Sequence, residues 1–119
     1  MSESLYERLG GAENVPKIAS SLVDNHLNNP AISTRFANID KEQTKIVVAQ
    51  FISTGTGEPA TYTGQDMLAT HKGMNISAAE FITVLDDALD ALSVNGVGQR
   101  EQEEMLFILY SMRKEIILV

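Results

Sequence analysis

Cysteine is absent from the 119 residues, which removes disulfides, thiolate metal sites and thiol nucleophiles and suits a reducing cytosol. Basic residues are scarce. Nine lysines and arginines stand against 16 acids, for a formal charge of −7, and that balance opposes binding to phosphate backbones or anionic membrane surfaces. No apolar run approaches the roughly 20 residues of a membrane span, and the opening Met-Ser-Glu-Ser-Leu-Tyr-Glu has no cationic region followed by an apolar core. The expectation is one cytoplasmic domain over residues 1–119, with neither nucleic acid nor membrane as partner and the whole chain as the mature protein. Catalytic groupings are equally sparse. There is no Gly-x-Ser-x-Gly, no His-x-x-x-His or Glu-x-x-His pair, and Gly55 and Gly57 lack the Lys-Ser/Thr of a phosphate loop.

What the chain has is helical periodicity. Leu5, Tyr6 and Leu9 make a short amphipathic start, stopped by Gly10-Gly11. Val15, Ile18, Ala19, Leu22, Val23 and His26 then keep three-and-four spacing up to Asn28-Asn29-Pro30, with Pro16 expected in the first turn. A helical turn is expected around Ile32 to Phe36. Asp40, with Gln43 three residues on, marks an N-terminus for the stripe Ile46, Val47, Val48, Phe51 and Ile52, and a loop is expected from Gly55 to Pro59. Ser77 with Glu80 forms a capping-box signature ahead of Phe81, Val84, Leu85, Ala88 and Leu92, which Asn95-Gly96 closes. The last helix carries Met105, Leu109, Met112 and Ile116 on its core face, with acids at its start and Arg113 and Lys114 at its end. No stretch alternates with period two, so the chain reads as all-α. Asp24, Asp86, Asp87, Asp90 and the Glu101 to Glu104 cluster read as solvated helix surface.

His71, one of only two histidines, lies with Met67 and Thr70 on one face of a short helix, and Met74 and Ile76 close the same pocket. Two readings stand side by side. One is a core histidine bonded to backbone carbonyls; the other is an axial ligand to haem iron, which asks for a single imidazole at the edge of an apolar pocket. His26, on the buried face of its helix, reads as a packed residue with a backbone or water partner, against a role in the pocket. The methionines read as core filling against axial ligation, and Lys41, Lys45 and Lys72 as solvated against contact with haem propionates.

Leu5-Tyr-Glu-Arg-Leu-Gly-Gly11, Phe36, and Tyr62-x-Gly64-x-x-Met67-x-x-x-His71 followed by Phe81 resemble, in order and spacing, the first group of truncated haemoglobins, from Leu5 to about Ile116. The resemblance implies a two-over-two helical sandwich around haem b. His71 would be the iron ligand, and Phe36, Phe51, Met67, Phe81 and Met105, with Val48 and Thr44, would line the cofactor. It further implies reversible binding of a diatomic gas such as oxygen, carbon monoxide or nitric oxide, with enzymatic turnover of nitric oxide or peroxide, served by a reductase, as the alternative. A cofactor-free helical interaction module is the third reading.

Departures from the family pattern fall in the distal pocket, made up of Leu22, Val23, Thr44, Val47 and Val48. Leu22-Val23 replaces the usual Phe-Tyr, so the phenol that commonly hydrogen-bonds oxygen is missing. Thr44 and Val48 stand where glutamines are common, and Val47 where some relatives carry an iron-binding histidine. The hydroxyl of Thr44 either faces the ligand or bonds back to its own helix. Gly57-Glu58 replaces the second Gly-Gly.

Overall fold

The computed structural model describes residues 3–57 and 74–118. Helix α1 (Leu5–Arg8) starts at Ser4 with a full capping box: Ser4 Oγ accepts from the Glu7 amide, and Glu7 accepts from the Ser4 amide. The chain reverses through Gly10 and Gly11, at φ 109° and 60°. A Cβ at Gly10 would lie 2.4 Å from Cβ of Asn14, so glycine is needed there for space as well as for φ. Asn14 makes this reversal a tertiary contact, its amide donating to the carbonyls of Leu9 at 2.8 Å and Asn95 at 3.1 Å.

Helix α2 (Gly11–Asn28) buries Val15, Ile18, Ala19 and Val23, the stripe expected from spacing. It starts directly at Gly11, which places Pro16 in the second turn and not the first. Pro16 is exposed there. A 3-10 turn (Ser33–Phe36) leads to α3 (Lys41–Thr56), where Asp40 Oδ1 accepts from the Gln43 amide at 3.1 Å. The loop expected from Gly55 begins later. Thr56 is buried and donates its hydroxyl to the Ile52 carbonyl at 2.7 Å, holding the last turn until Gly57 ends it at φ 121°.

Helix α4 (Ala78–Val94) opens on the Ser77/Glu80 capping box and buries Phe81, Leu85, Ala88, Ala91 and Leu92. It closes at Asn95, as the Asn-Gly signal implies. Helix α5 (Gln99–Ser111) is shorter than the spacing suggested: it stops at Ser111, a 3-10 turn covers Arg113–Glu115, and Ile116 lies beyond both. The reason is a tertiary contact. Ile117 pairs with Ile76 in an isolated parallel bridge, and the Leu118 amide donates to the Ile76 carbonyl at 2.9 Å, which draws the tail off the helical path.

Helix α2 packs against both α3 and α4, and α4 against α5. Leu5, Leu9, Val15, Ile18, Ala19, Ile52, Ala91, Leu92, Val97 and Met105 form one core cluster. That cluster joins α1, α3 and α5 to the first half of α2 and the last part of α4, leaving the opposite ends of α2 and α4 for the site. Leu92 is 1% exposed within it. Leu92→Ala should lower unfolding free energy by about 2–5 kcal/mol, the range for a buried leucine that leaves a cavity; urea denaturation followed by circular dichroism measures it.

Candidate functional site: an apolar cavity beside the third and fourth helices

A cavity of about 310 Å³ lies away from the core cluster. Helix α3 supplies Thr44, Val47, Val48 and Phe51. Glu80, Phe81 and Val84 come from α4, Phe36, Arg35 and Ile32 from the 3-10 region, and His26 from the end of α2; Met74, Ile76 and Ile116 complete the lining. A larger depression of about 740 Å³ is rimmed by Arg8, Arg100, Glu103 and Glu104. The smaller space is the better ligand site, because its walls are apolar with a few placed polar groups.

Those polar groups are tied up by defined partners. Arg35 clamps Glu80 with two bonds, Nε to Oε2 at 2.6 Å and Nη2 to Oε1 at 3.0 Å, and its Nη1 donates to the Met74 carbonyl at 3.0 Å. Glu80 Oε1 also accepts from the Ser77 amide at 3.0 Å, so the residue that caps α4 also anchors the cavity's charged corner. Thr44 Oγ1 donates to the Asp40 carbonyl at 2.8 Å, which settles the two readings of that hydroxyl in favour of its own helix. His26 Nδ1 lies 2.7 Å from Asp87 Oδ2, and the imidazole stacks on Phe36 at 5.5 Å with 19° between the planes.

Of the residues expected at a cofactor site, Phe36, Phe51, Phe81, Thr44, Val47 and Val48 line the cavity together. Met105 is instead part of the core cluster. Val23 is 2% exposed and Leu22 packs against the core cluster; neither is among the residues that line the cavity. His71 and Met67, with Tyr62, Gly64 and Thr70, lie outside the described residues.

Two corrections concern charge. Asp87 is not solvated surface: it meets His26 and also accepts from Asn29 Nδ2 at 3.0 Å, so the partner of His26 is a carboxylate and not backbone or water. Its position three residues after the cavity-lining Val84 was the available signal. Asp24 is likewise paired, with Lys41 at 3.2 Å and Lys45 at 3.1 Å. Burial pushes its carboxyl up, but hydrogen bonds from Lys45 and Lys41 together with the charges of both lysines outweigh burial and hold it below its usual range. The Arg35/Glu80 contact is invisible to helical periodicity, because its partners come from different elements.

An all-helical chain with three phenylalanines around an apolar slot has the form of a small globin, and its relatives agree. The bacterial-like globin family model matches residues 4–117; the chain belongs to that family. It is 27% identical over 113 residues to the group 1 truncated haemoglobin GlbN of Mycolicibacterium paratuberculosis, covering 95% of this chain and 83% of that one. It is 28% identical over 116 residues to the group 1 truncated haemoglobin of Tetrahymena pyriformis, covering 97% and 95%. The ferric crystal structure of the Tetrahymena pyriformis protein superposes with a TM-score of 0.93 at 23% identity, over 98% of this chain and all (100%) of that one. The group II truncated haemoglobin of Bacillus anthracis gives 0.88 at 20% identity, over 98% and 92%. The two-over-two globin fold is therefore this chain's fold. No helix among the described residues is long and apolar enough to cross a membrane.

The hydrogen bond from Arg35 and the Ser77 amide pull the Glu80 carboxyl from 4.5 down to about 2. A depressed carboxyl contributes stability that is complete above its unfolded value and lost as pH falls toward the folded one. Unfolding midpoints should therefore fall between about pH 4.5 and about 2. Glu80→Gln should flatten that part of the profile, leaving the share of Glu104, which Arg8 holds down, and of Asp24. Chemical denaturation across the acid range measures the difference.

Proposed function

We propose that this globin is a cytoplasmic haem b protein of one domain, residues 1–119, which binds a diatomic gas (oxygen, carbon monoxide or nitric oxide) reversibly at iron held by His71. The observation that carries the reading is the cavity itself, whose wall of Phe36, Phe51, Phe81, Val47 and Val48 is apolar and aromatic, the surface a haem site needs. A planar macrocycle fits such a wall. Haem iron, when bound, supplies a coordination position that a diatomic gas can occupy.

The chain's own residues set what happens around that position. Phe36, Phe51 and Phe81 line the cavity with aromatic surface that excludes water; Ile32, Ile76, Val84 and Ile116 extend the dry surface. Arg35 keeps Glu80 paired, so the carboxylate is not an uncompensated charge against the pocket. On α3 the donor supply is poor: Val47 and Val48 have none, and the Thr44 proton is committed to Asp40. A hydrogen bond to a charged acceptor is worth about 1.5–3 kcal/mol, or roughly 10- to 150-fold in dissociation. Without one from this helix, a polarised gas such as oxygen is held weakly and carbon monoxide comparatively well. Turnover of nitric oxide or peroxide with a reductase is the second reading, favoured by one observation, the imidazole of His26 at the cavity wall.

Two experiments test the reading. Added haem should give the parent an intense Soret band and raise its melting temperature by mass action; His71→Ala should lose stable incorporation or regain it only with added imidazole. A parent spectrum retained in that variant overturns the role of His71. On the cavity wall, Val48→Gln introduces a donor and should slow oxygen release by about one to two orders of magnitude, with carbon monoxide release changing far less. Thr44→Val should leave oxygen release as in the parent. Stopped-flow rates for the three proteins decide it, and slowed release in the parent that Thr44→Val abolishes would mean that Thr44 turns toward the ligand.

A further inference from the structure

We propose that His26 is a proton acceptor for small neutral weak acids that bind in the cavity as their anions, a class that includes hydrogen cyanide, hydrogen sulfide and hydrogen peroxide. The inference rests on the haem-binding reading and deepens it by naming a ligand class. Its basis is the arrangement of one imidazole. His26 lines the cavity with its side chain 12% exposed, flat against Phe36, with Nδ1 at 2.7 Å from Asp87 Oδ2. Asn29 Nδ2 donates to that same oxygen at 3.0 Å and fixes it in place. A carboxylate oxygen accepts and does not donate, so the hydrogen in the short contact belongs to Nδ1, and the neutral ring then carries its lone pair on Nε2. No hydrogen bond from a described residue reaches Nε2.

The other polar groups at the wall are spoken for. Arg35 serves Glu80 and the Met74 carbonyl, and Thr44 serves Asp40. Nearby, Asp24 is neutralised by Lys41 and Lys45, and Asp90 accepts from Asn25. An apolar wall admits a neutral acid HX far more readily than its anion, because an unpaired charge is costly to desolvate. Once inside, the H–X bond breaks with its electron pair left on X, and an N–H bond forms at Nε2. Asp87 then faces an imidazolium, and the pair carries no net charge. Asp87 and Asn29 act as positioning residues in this step, and Phe36 holds the ring plane.

Carbon monoxide brings no proton and is the control. In the ferric, haem-loaded protein, His26→Gln should slow cyanide binding by about 10²- to 10⁴-fold, the usual effect of losing a positioned proton-transfer group. Asp87→Asn should give a smaller loss, and in both variants the loss for cyanide should exceed any change in carbon monoxide binding to the ferrous protein. Nitrogen-15 NMR of the diamagnetic carbon monoxide complex should show His26 protonated at Nδ1 and bare at Nε2 in the parent. Parental cyanide rates in His26→Gln, equal losses for cyanide and carbon monoxide, or a proton found on Nε2 would each overturn the assignment. If His26→Gln fails to fold, Asp87→Asn and the NMR measurement decide it alone. A parent with no Soret band on haem addition overturns the cofactor reading, whereas a normal band with unchanged cyanide rates in the variants overturns only the role of His26.

Discussion

The contact on which the rest depends is the burial of one face of α2, through Val15, Ile18 and Ala19, against α3 on one side and α4 on the other. These three residues are at most 2% exposed, and each transfers to the interior the full apolar area of its side chain. Because Ile52 of α3 and Ala91 and Leu92 of α4 join the same cluster, this one seam sets where two further helices sit. Asn14 and Asn95 reinforce it with polar bonds from the α1–α2 reversal to the end of α4, and Asn95 also reaches Ser21 and the Lys17 carbonyl of α2. The core cluster occupies this end of the molecule, and the cavity lies beyond it.

An apolar cavity is costly in itself, because its walls lack contact partners. Polar clamps at the cavity hold the elements apart at fixed distances. Arg35 ties the 3-10 turn to the start of α4 and to the Met74 carbonyl, while Asp87 ties α4 to His26 and Asn29 at the end of α2. Bidentate geometry makes Arg35 a directional brace and not only a charge neutraliser. The tail joins the same corner through Ile76 and Ile117, which brings Ile116 to the wall.

Helical periodicity made the core face of each helix readable, because three-and-four spacing records which side is buried. Capping chemistry was equally legible at Asp40 and Ser77, whose side chains each satisfy an amide three residues on, whereas the same Ser4/Glu7 pattern went unread. The cavity's aromatic wall followed from the resemblance at Phe36 and Phe81. What spacing could not supply was the choice between two apolar neighbourhoods: Met105 satisfies the same pattern in the core cluster as it would beside a cofactor. Long-range polar pairs were also hidden. Asp87 reads as surface along α4, and only the approach of α2 turns it into a partner for His26. The end of α5 was misjudged for a similar reason, since the bridge to Ile76 overrides a helical pattern that runs on through Ile116.

The distribution of donors around the cavity has one further consequence. Val23 is enclosed by helix packing, so a large polar side chain there would have to displace neighbours, and overpacking of this kind costs about 1–3 kcal/mol. One turn further along α2, His26 has the room that Val23 lacks, because Phe36 gives its ring a flat surface and Asp87 gives Nδ1 a partner. The polar side chain of this helix that reaches the cavity therefore lies three residues beyond the enclosed Val23. An imidazole differs from a phenol in accepting a proton as readily as it donates one. At the cavity wall, where Val47 and Val48 of α3 offer no donor and the Thr44 hydroxyl bonds Asp40, the imidazole at the end of α2 is the group whose chemistry, on the proposed reading, suits a ligand that arrives with a proton.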